Sequence, residues 1–143
     1  MALKNTYTKT PVATMLSEIQ KALIRVKATG MNYKFNQQGQ IEGLSFGLMI
    51  RENIVGFMLP INIDKIQAVL KRDRNARWDD KDYVYRVAWA CMRDWVTAQM
   101  AMIETEMAEP LQVFLPYAMD GSGQTLFEKV QNSNLLLGNG NSQ

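Results

Sequence analysis

A short segment near the middle of the chain carries four basic side chains followed by a tryptophan: Lys71, Arg72, Arg74, Arg77 and Trp78. We call residues 71–78 the basic segment. Guanidinium and ammonium groups neutralise phosphates, and a flat indole ring can stack on an unpaired base. This combination is typical of surfaces that bind single-stranded nucleic acid. The alternative is a solvated loop that Asp73 and Asp79 partly neutralise, and the residue pattern alone leaves both interpretations open.

Other basic and aromatic residues extend this hypothesis. Arg86 adds a fifth cation for electrostatic capture, and Tyr83 or Tyr33 is a second candidate for base stacking. Lys34 follows Tyr33 in a stretch that we expect to be a strand. The predicted nucleic-acid-binding residues are therefore Lys71, Arg72, Arg74, Arg77, Trp78, Tyr83, Arg86, Tyr33 and Lys34.

The residues that most often perform catalysis are scarce in this chain. Histidine is absent, which removes the commonest general acid-base group, and Cys91 is the only cysteine. A zinc site is therefore not expected, and neither is a disulfide framework. The turn at residues 121–123 lacks the spacing of a phosphate-binding loop. These observations predict a protein that is not an enzyme and that has no catalytic residues, no metal site and no cofactor.

The composition is that of an ordinary globular domain. Of the 143 residues 47% are hydrophobic and 21% are charged. We predict one domain over residues 1–131, followed by a flexible tail over residues 132–143. Residues 71–93 carry seven basic and four acidic side chains, whereas residues 94–143 carry one and six. No secretory signal or membrane-spanning stretch is expected, so we predict a cytoplasmic location and no membrane partner.

The spacing of apolar residues predicts the order of elements in the first half of the chain. A helix is expected to begin at Thr10 and Pro11 and to end at Gly30, because its apolar residues recur at helical spacing. Alternating residues then predict three antiparallel strands, with a first turn at residues 37–39, a second at 51–53 and Pro60 closing the third strand. Together these form a β-meander.

The second half is predicted to be mostly helical. Asn62 begins a short helix, and Asp79 or Asp80 caps a long helix that we expect over residues 80–107, with Pro110 marking its end. Residues 111–117 are predicted to be extended. A small terminal helix is expected to turn three side chains inward: Leu126, Phe127 and Val130. The fold class is therefore α+β: an N-terminal helix, a three-stranded antiparallel meander, a short helix, a long helix and a small terminal helix.

The long helix is apolar over most of its circumference. A helix of this kind is covered on more than one side, either by its own chain or by a partner. One interpretation is packing within the core. The other is self-association as a symmetric homo-oligomer, for which we predict these interface residues: Trp89, Met92, Val96, Met100 and Ile103.

Several short motifs resemble those of a set of small phage and prophage proteins that have no established activity. The motifs are residues 57–60 (FMLP), 86–89 (RVAW), 94–95 (DW) and 114–117 (FLPY), and the resemblance extends over residues 12–130. It implies a phage-encoded protein in the cytoplasm of the host cell. It transfers no catalytic or ligand-binding residues. Small phage proteins of this kind are often DNA-handling factors or antagonists of host functions.

We therefore predict a non-enzymatic, phage-encoded protein that binds single-stranded DNA with little sequence preference. DNA and RNA are not distinguished by the pattern. The alternative is a phage protein-interaction module, an inhibitor of a host factor or an assembly protein, that uses an apolar helix surface. A third interpretation is a small-molecule binder with a pocket between the sheet and the helices. We therefore predict three possible partners: single-stranded nucleic acid, a second copy of the chain and a host protein.

Overall fold

The computed structural model of the chain describes residues 3–133, which form five α-helices and one three-stranded sheet. In chain order the elements are α1 (Val12–Arg25), β1 (Thr29–Phe35), β2 (Ile41–Ile50), β3 (Asn53–Pro60), α2 (Ile63–Arg72), α3 (Lys81–Glu104), α4 (Pro110–Phe114), a 3-10 turn (Leu115–Tyr117) and α5 (Leu126–Ser133). This order confirms the predicted α+β class and the three-stranded meander.

The sheet is an antiparallel meander in the order β1-β2-β3. Its two hairpins turn at residues with positive φ, which are Gly39 in the first hairpin and Arg51 and Glu52 in the second. Arg51 and Glu52 together satisfy the two positive φ angles that a tight hairpin requires, although asparagine and glycine are the usual residues there. Leu44 pairs with Leu59 across β2 and β3, and such cross-strand pairs supply the buried face of the sheet.

Helices α1 and α3 run side by side and bury their apolar stripes together with that face of the sheet. Arg93 of α3 lies 3.7 Å from Glu18 of α1, and Arg25 further along α1 pairs with Glu104 further along α3. The two helices therefore run in the same direction. Trp89 is at the centre of the core, where its indole N–H donates to the Ile41 carbonyl at 3.0 Å. This bond fixes α3 to the start of β2.

A second, smaller cluster forms where α2 packs on the first turns of α3. Its fully buried members are Leu70, Tyr83, Val84 and Val87. The N-terminal segment lies over this cluster, because the Tyr83 hydroxyl donates to the Thr6 carbonyl at 2.8 Å. Cys91 packs at its edge, and burial raises the pKa of its thiol. The cluster forms the base on which the basic segment rests.

Helix α1 ends at Arg25, five residues before the predicted stop at Gly30, and α3 ends at Glu104, three residues before the predicted Met107. In each case the chain reverses through a residue with positive φ, Lys27 or Glu106, where glycine is the usual choice. Because this geometry depends on backbone hydrogen bonds rather than on residue type, composition did not reveal it.

The segment after α3 also differs from its prediction. Pro110 begins α4 instead of following an element, which is the position proline favours because its missing N–H is not needed there. Residues 111–117 are consequently helical and not extended. Phe127 of α5, predicted to point inward, is 55% exposed.

The predicted domain and tail are only partly covered by the described residues. Helix α5 continues through Asn132 to Ser133, so the expected boundary after Gln131 falls inside a helix, and the rest of the predicted tail lies outside residues 3–133. None of the helices in this range has the length and apolar content that crossing a bilayer requires.

Candidate nucleic-acid interface

The basic segment begins at the carboxyl end of α2. Asn62 caps the other end of this helix by accepting from the Lys65 N–H at 3.0 Å, as predicted. Lys71 and Arg72 lie in the last turn, where cations also interact favourably with the helix dipole. Helix stability alone would therefore account for two of the four cations, and the positions of the other two carry more information.

Arg74 occupies the position that ends α2. Its φ is 57°, and its N–H donates to the Lys71 carbonyl while the Asn75 N–H donates to the Leu70 carbonyl. These two bonds define the Schellman motif, in which glycine is the preferred residue at the position that Arg74 holds. An arginine there costs about 1 kcal/mol of backbone strain relative to glycine. The motif holds the guanidinium of Arg74 on an exposed turn.

Trp78 packs beside this turn. The indole is half-buried against the second cluster, and the Trp78 carbonyl accepts from the side-chain amide of Gln67 at 3.1 Å. The ammonium of Lys71, which is solvent-exposed, lies 4.7 Å from the centre of the Trp78 ring. The ring thus packs against the second cluster, and the flexible side chain of Lys71 lies over it. Such a cation-π contact at an exposed site is worth only about 0.5–1 kcal/mol.

Arg77 is held differently from the other cations of the segment. Its guanidinium lies 4.3 Å from the centre of the Tyr83 ring and 3.4 Å from Asp80. Asp80 caps α3 as predicted, and its hydrogen bond from the Tyr83 N–H, with smaller contributions from Arg77 and Arg86, keeps the pKa of the Asp80 carboxyl low. Arg77 is therefore partly neutralised before any partner binds.

Tyr83 cannot serve as a stacking platform, and we correct that prediction. Its ring is fully buried, and its hydroxyl accepts from the Asn75 side chain at 2.8 Å in addition to donating to Thr6. The periodicity of α3 placed Tyr83 beside the basic segment. It did not reveal that α2 and the N-terminal segment would cover the ring.

Arg86 lies on α3 one turn beyond Tyr83. The side chain is half-buried, and its Nε atom is buried with no hydrogen-bond partner among residues 3–133. Arg86 also forms no ion pair within the described part of the chain. A partly desolvated guanidinium of this kind interacts strongly with an anion.

Tyr33 and Lys34 do not extend a single track with the basic segment. Successive residues of a strand point to opposite faces, and Tyr33 pairs with the buried Leu44 whereas Lys34 pairs with Gly43 on the other face. Lys34 also lies 3.7 Å from Glu42. The two residues therefore serve different surfaces, and only Lys34 faces toward α2, across a cleft.

This cleft of about 500 Å³ separates the first hairpin from α2 and the start of α3. Its walls carry amide, acidic and basic side chains, including Lys34, Gln40, Glu42, Asn62, Gln67 and Lys81. Sequence reasoning named a pocket between the sheet and the helices only in general terms and did not predict the residues that line this cleft. The run of amides at residues 36–40 was a visible signal, but it was interpreted only as a turn, because the opposite wall is contributed by residues more than twenty positions later.

The predicted oligomer interface requires correction as well. Trp89, Val96 and Met100 are buried in the core of the single chain, with Met100 only 3% exposed, and Met92 and Ile103 pack against the same core. The helix is apolar on several sides because α1, the sheet, α2 and α4 cover it. Trp89, Val96 and Met100 are therefore not available to a second copy, whereas Met92 and Ile103 are only partly buried. Self-association itself stays an untested prediction.

Within the described residues no three cysteine, aspartate or glutamate side chains are grouped so that they would hold an ion.

No protein-family model matches the chain, and no curated protein or solved structure is significantly similar to it.

Proposed function

We propose that the protein binds single-stranded nucleic acid, with the basic segment as its main contact surface and without catalysing a reaction. The observation that carries this proposal is the state of the cations. Lys71, Arg72 and Arg74 are solvent-exposed on one helix end and form no ion pair within residues 3–133. The ammonium of Lys71 also lies over the indole ring of Trp78, 4.7 Å from its centre.

Binding would proceed as an exchange of partners for Lys71. As a strand approaches, the ammonium moves from the Trp78 ring to a phosphate, and a base takes its place on the ring. The contact that is lost is worth about 0.5–1 kcal/mol, whereas base stacking on an aromatic side chain contributes about 1–3 kcal/mol. Stacking therefore outweighs the loss, and because every base has a flat face the exchange accommodates any sequence.

The experiment is the salt dependence of affinity for a labelled single-stranded oligonucleotide, measured by fluorescence anisotropy. The informative variant is Arg72→Gln with Arg74→Gly, which removes two cations and places glycine at the left-handed position. The matched control is Lys21→Gln on α1 with Lys27→Gly, two residues after the end of that helix. Lys27 also has positive φ, at 67°, so both double variants lose two charges and relieve one strained position.

We expect the affinity of the wild-type protein to fall steeply with salt. The slope of log affinity against log salt should decrease by about 0.7 for each phosphate contact removed by the Arg72 and Arg74 changes. The control should keep the wild-type slope. No measurable binding at low salt by folded protein, or equal losses in both double variants, would overturn the proposal.

A second candidate function is supported by the tip of the second hairpin. Met49 and Ile54 pair across β2 and β3 and are 63% and 68% exposed, so they form a small apolar surface on the face opposite the core. A phage protein-interaction module that inhibits a host factor would use such a surface. If Met49→Ser with Ile54→Ser abolishes a stoichiometric, nuclease-resistant complex from host lysate while the Arg72 and Arg74 variant retains it, this second function replaces the first.

A further inference from the structure

The cleft between the first hairpin and α2 contains polar groups that the fold leaves unused. The side-chain oxygen of Asn62 caps α2, and the side-chain nitrogen of Gln67 donates to the Trp78 carbonyl. The side-chain nitrogen of Asn62 and the side-chain oxygen of Gln67 have no hydrogen-bond partner within residues 3–133. Gln40 accepts from Asn36 at 3.3 Å, and its own amide nitrogen likewise donates to no described residue. The cleft thus presents donors and acceptors side by side.

The net charge of the cleft disfavours a phosphate as its main occupant. Lys34 and Lys81 contribute two positive charges, and Glu42 and Asp64 contribute two negative ones. Apolar side chains, including Ile61 and Val84, complete the lining. A neutral, flat and polar-edged molecule fits this combination, because its faces meet the apolar residues and its edge meets the amides. Nucleobases have this chemistry.

Glu42 indicates which hydrogen-bonding group the edge of the bound molecule should carry. Its side chain is 34% exposed, and its nearest cation, Lys34, is 3.7 Å away, beyond hydrogen-bond distance. No described residue donates a hydrogen bond to this carboxylate, and a partly buried carboxylate is stabilised by a donor. The exocyclic amino group of cytosine or adenine is such a donor, whereas the carbonyl at the same position of thymine or uracil is not.

The cleft also adjoins the basic segment. Gln67 lines the cleft and is hydrogen-bonded to Trp78, so one residue joins the two surfaces. We propose that the cleft binds a nucleobase bearing an exocyclic amino group, presented by a strand whose phosphates lie on the basic segment. This inference rests on the proposed function and goes beyond it, because it gives the protein a preference among bases.

The first test compares oligomers of deoxycytidine and thymidine of equal length by anisotropy. Wild-type protein should favour the cytidine oligomer by about fivefold or more, and Glu42→Ala should bring the ratio of the two affinities near one. Glu18→Ala is the matched control, since Glu18 also lies 3.7 Å from its nearest cation but on α1. Ratios cancel the general electrostatic effect of removing a carboxylate. Equal affinities in the wild type would overturn the inference and leave the proposed function intact.

The second test does not depend on the basic segment. Deoxycytidine and thymidine are titrated into ¹⁵N-labelled protein while the side-chain amide signals of Gln40, Asn62 and Gln67 are followed. Shifts of these signals with deoxycytidine, weakened in Glu42→Ala and smaller with thymidine, support the cleft even if oligonucleotides fail to bind. An absence of shifts at saturating nucleoside overturns the inference, whatever the oligonucleotides do.

Discussion

The ammonium of Lys71 lies over the ring of Trp78, 4.7 Å from its centre, at the point where α2 ends. This contact joins the two chemical groups that the proposed function requires, a cation for phosphate and a ring for a base. Because each side chain can be substituted while the other is kept, mutations can measure the contributions of the cation and of the ring separately.

Replacing Trp78 with leucine should weaken binding of a single-stranded oligonucleotide without changing its salt dependence. Loss of one stacked base costs about 1–3 kcal/mol, which is roughly a 5- to 150-fold loss of affinity. Lys71→Met keeps the ring but removes one cation, so it should lower the slope of log affinity against log salt by about 0.7. Anisotropy titrations at several salt concentrations measure both quantities. If Trp78→Leu folds and binds normally, the ring has no part in binding.

Glycine should stabilise the fold at each of three helix ends. Lys27, Arg74 and Glu106 all have positive φ and follow α1, α2 and α3 respectively. Each substitution to glycine relieves a left-handed conformation, so the free energy of unfolding should rise by about 0.5–1 kcal/mol in a denaturant titration. Only Arg74→Gly should also weaken nucleic-acid binding. Destabilisation by Arg74→Gly would mean that its side chain supports the fold.

An aspartate at Met100 should unfold the single chain. Met100 is 3% exposed in the core, and burying an unpaired charge there costs several kcal/mol. Met102→Asp is the control on the same helix, since Met102 is 39% exposed and should tolerate the charge. Circular dichroism with light scattering tests both. A folded Met100→Asp monomer derived from a wild-type oligomer would restore the interface hypothesis.

Asp120 should support stability in a pH-dependent way. Hydrogen bonds from the Ser122 hydroxyl and from Lys129, the larger causes, together with backbone N–H groups, hold the pKa of this carboxyl well below its ordinary range. A lowered pKa means that the stabilisation is complete above the unfolded value of about 3.9 and is lost as pH falls toward the folded value.

Asp120→Asn should therefore lower the free energy of unfolding at pH 7, and the difference from wild type should narrow as the pH is reduced below about 4. Denaturant titrations at several pH values measure this. Ser122→Ala should be destabilising in the wild type and nearly neutral in the Asp120→Asn background, because the hydroxyl then has no charged acceptor. A difference independent of pH would contradict the assigned hydrogen bonds.

The local elements follow from residue type and spacing. Asn62 and Asp80 cap α2 and α3 where the sequence placed caps, since short side-chain acceptors reach free N–H groups within the same turn. The alternation of apolar and polar residues predicted the three strands, because side chains two residues apart lie on the same face of a strand. Helix ends were less predictable where charged residues replace glycine, as at Lys27.

Which side of each element is covered was decided by the tertiary structure. An apolar α3, with residues such as Tyr83 and Met100, is compatible with burial against a partner or against its own chain. The packing of α1, α2 and the N-terminal segment on α3 shows that its own chain covers these residues. The cleft between Glu42 and Gln67 likewise exists because distant segments meet. The sequence by itself determined the basic segment and the elements that flank it. Burial, which depends on contacts between residues far apart in the chain, determined which of its neighbours can reach a ligand.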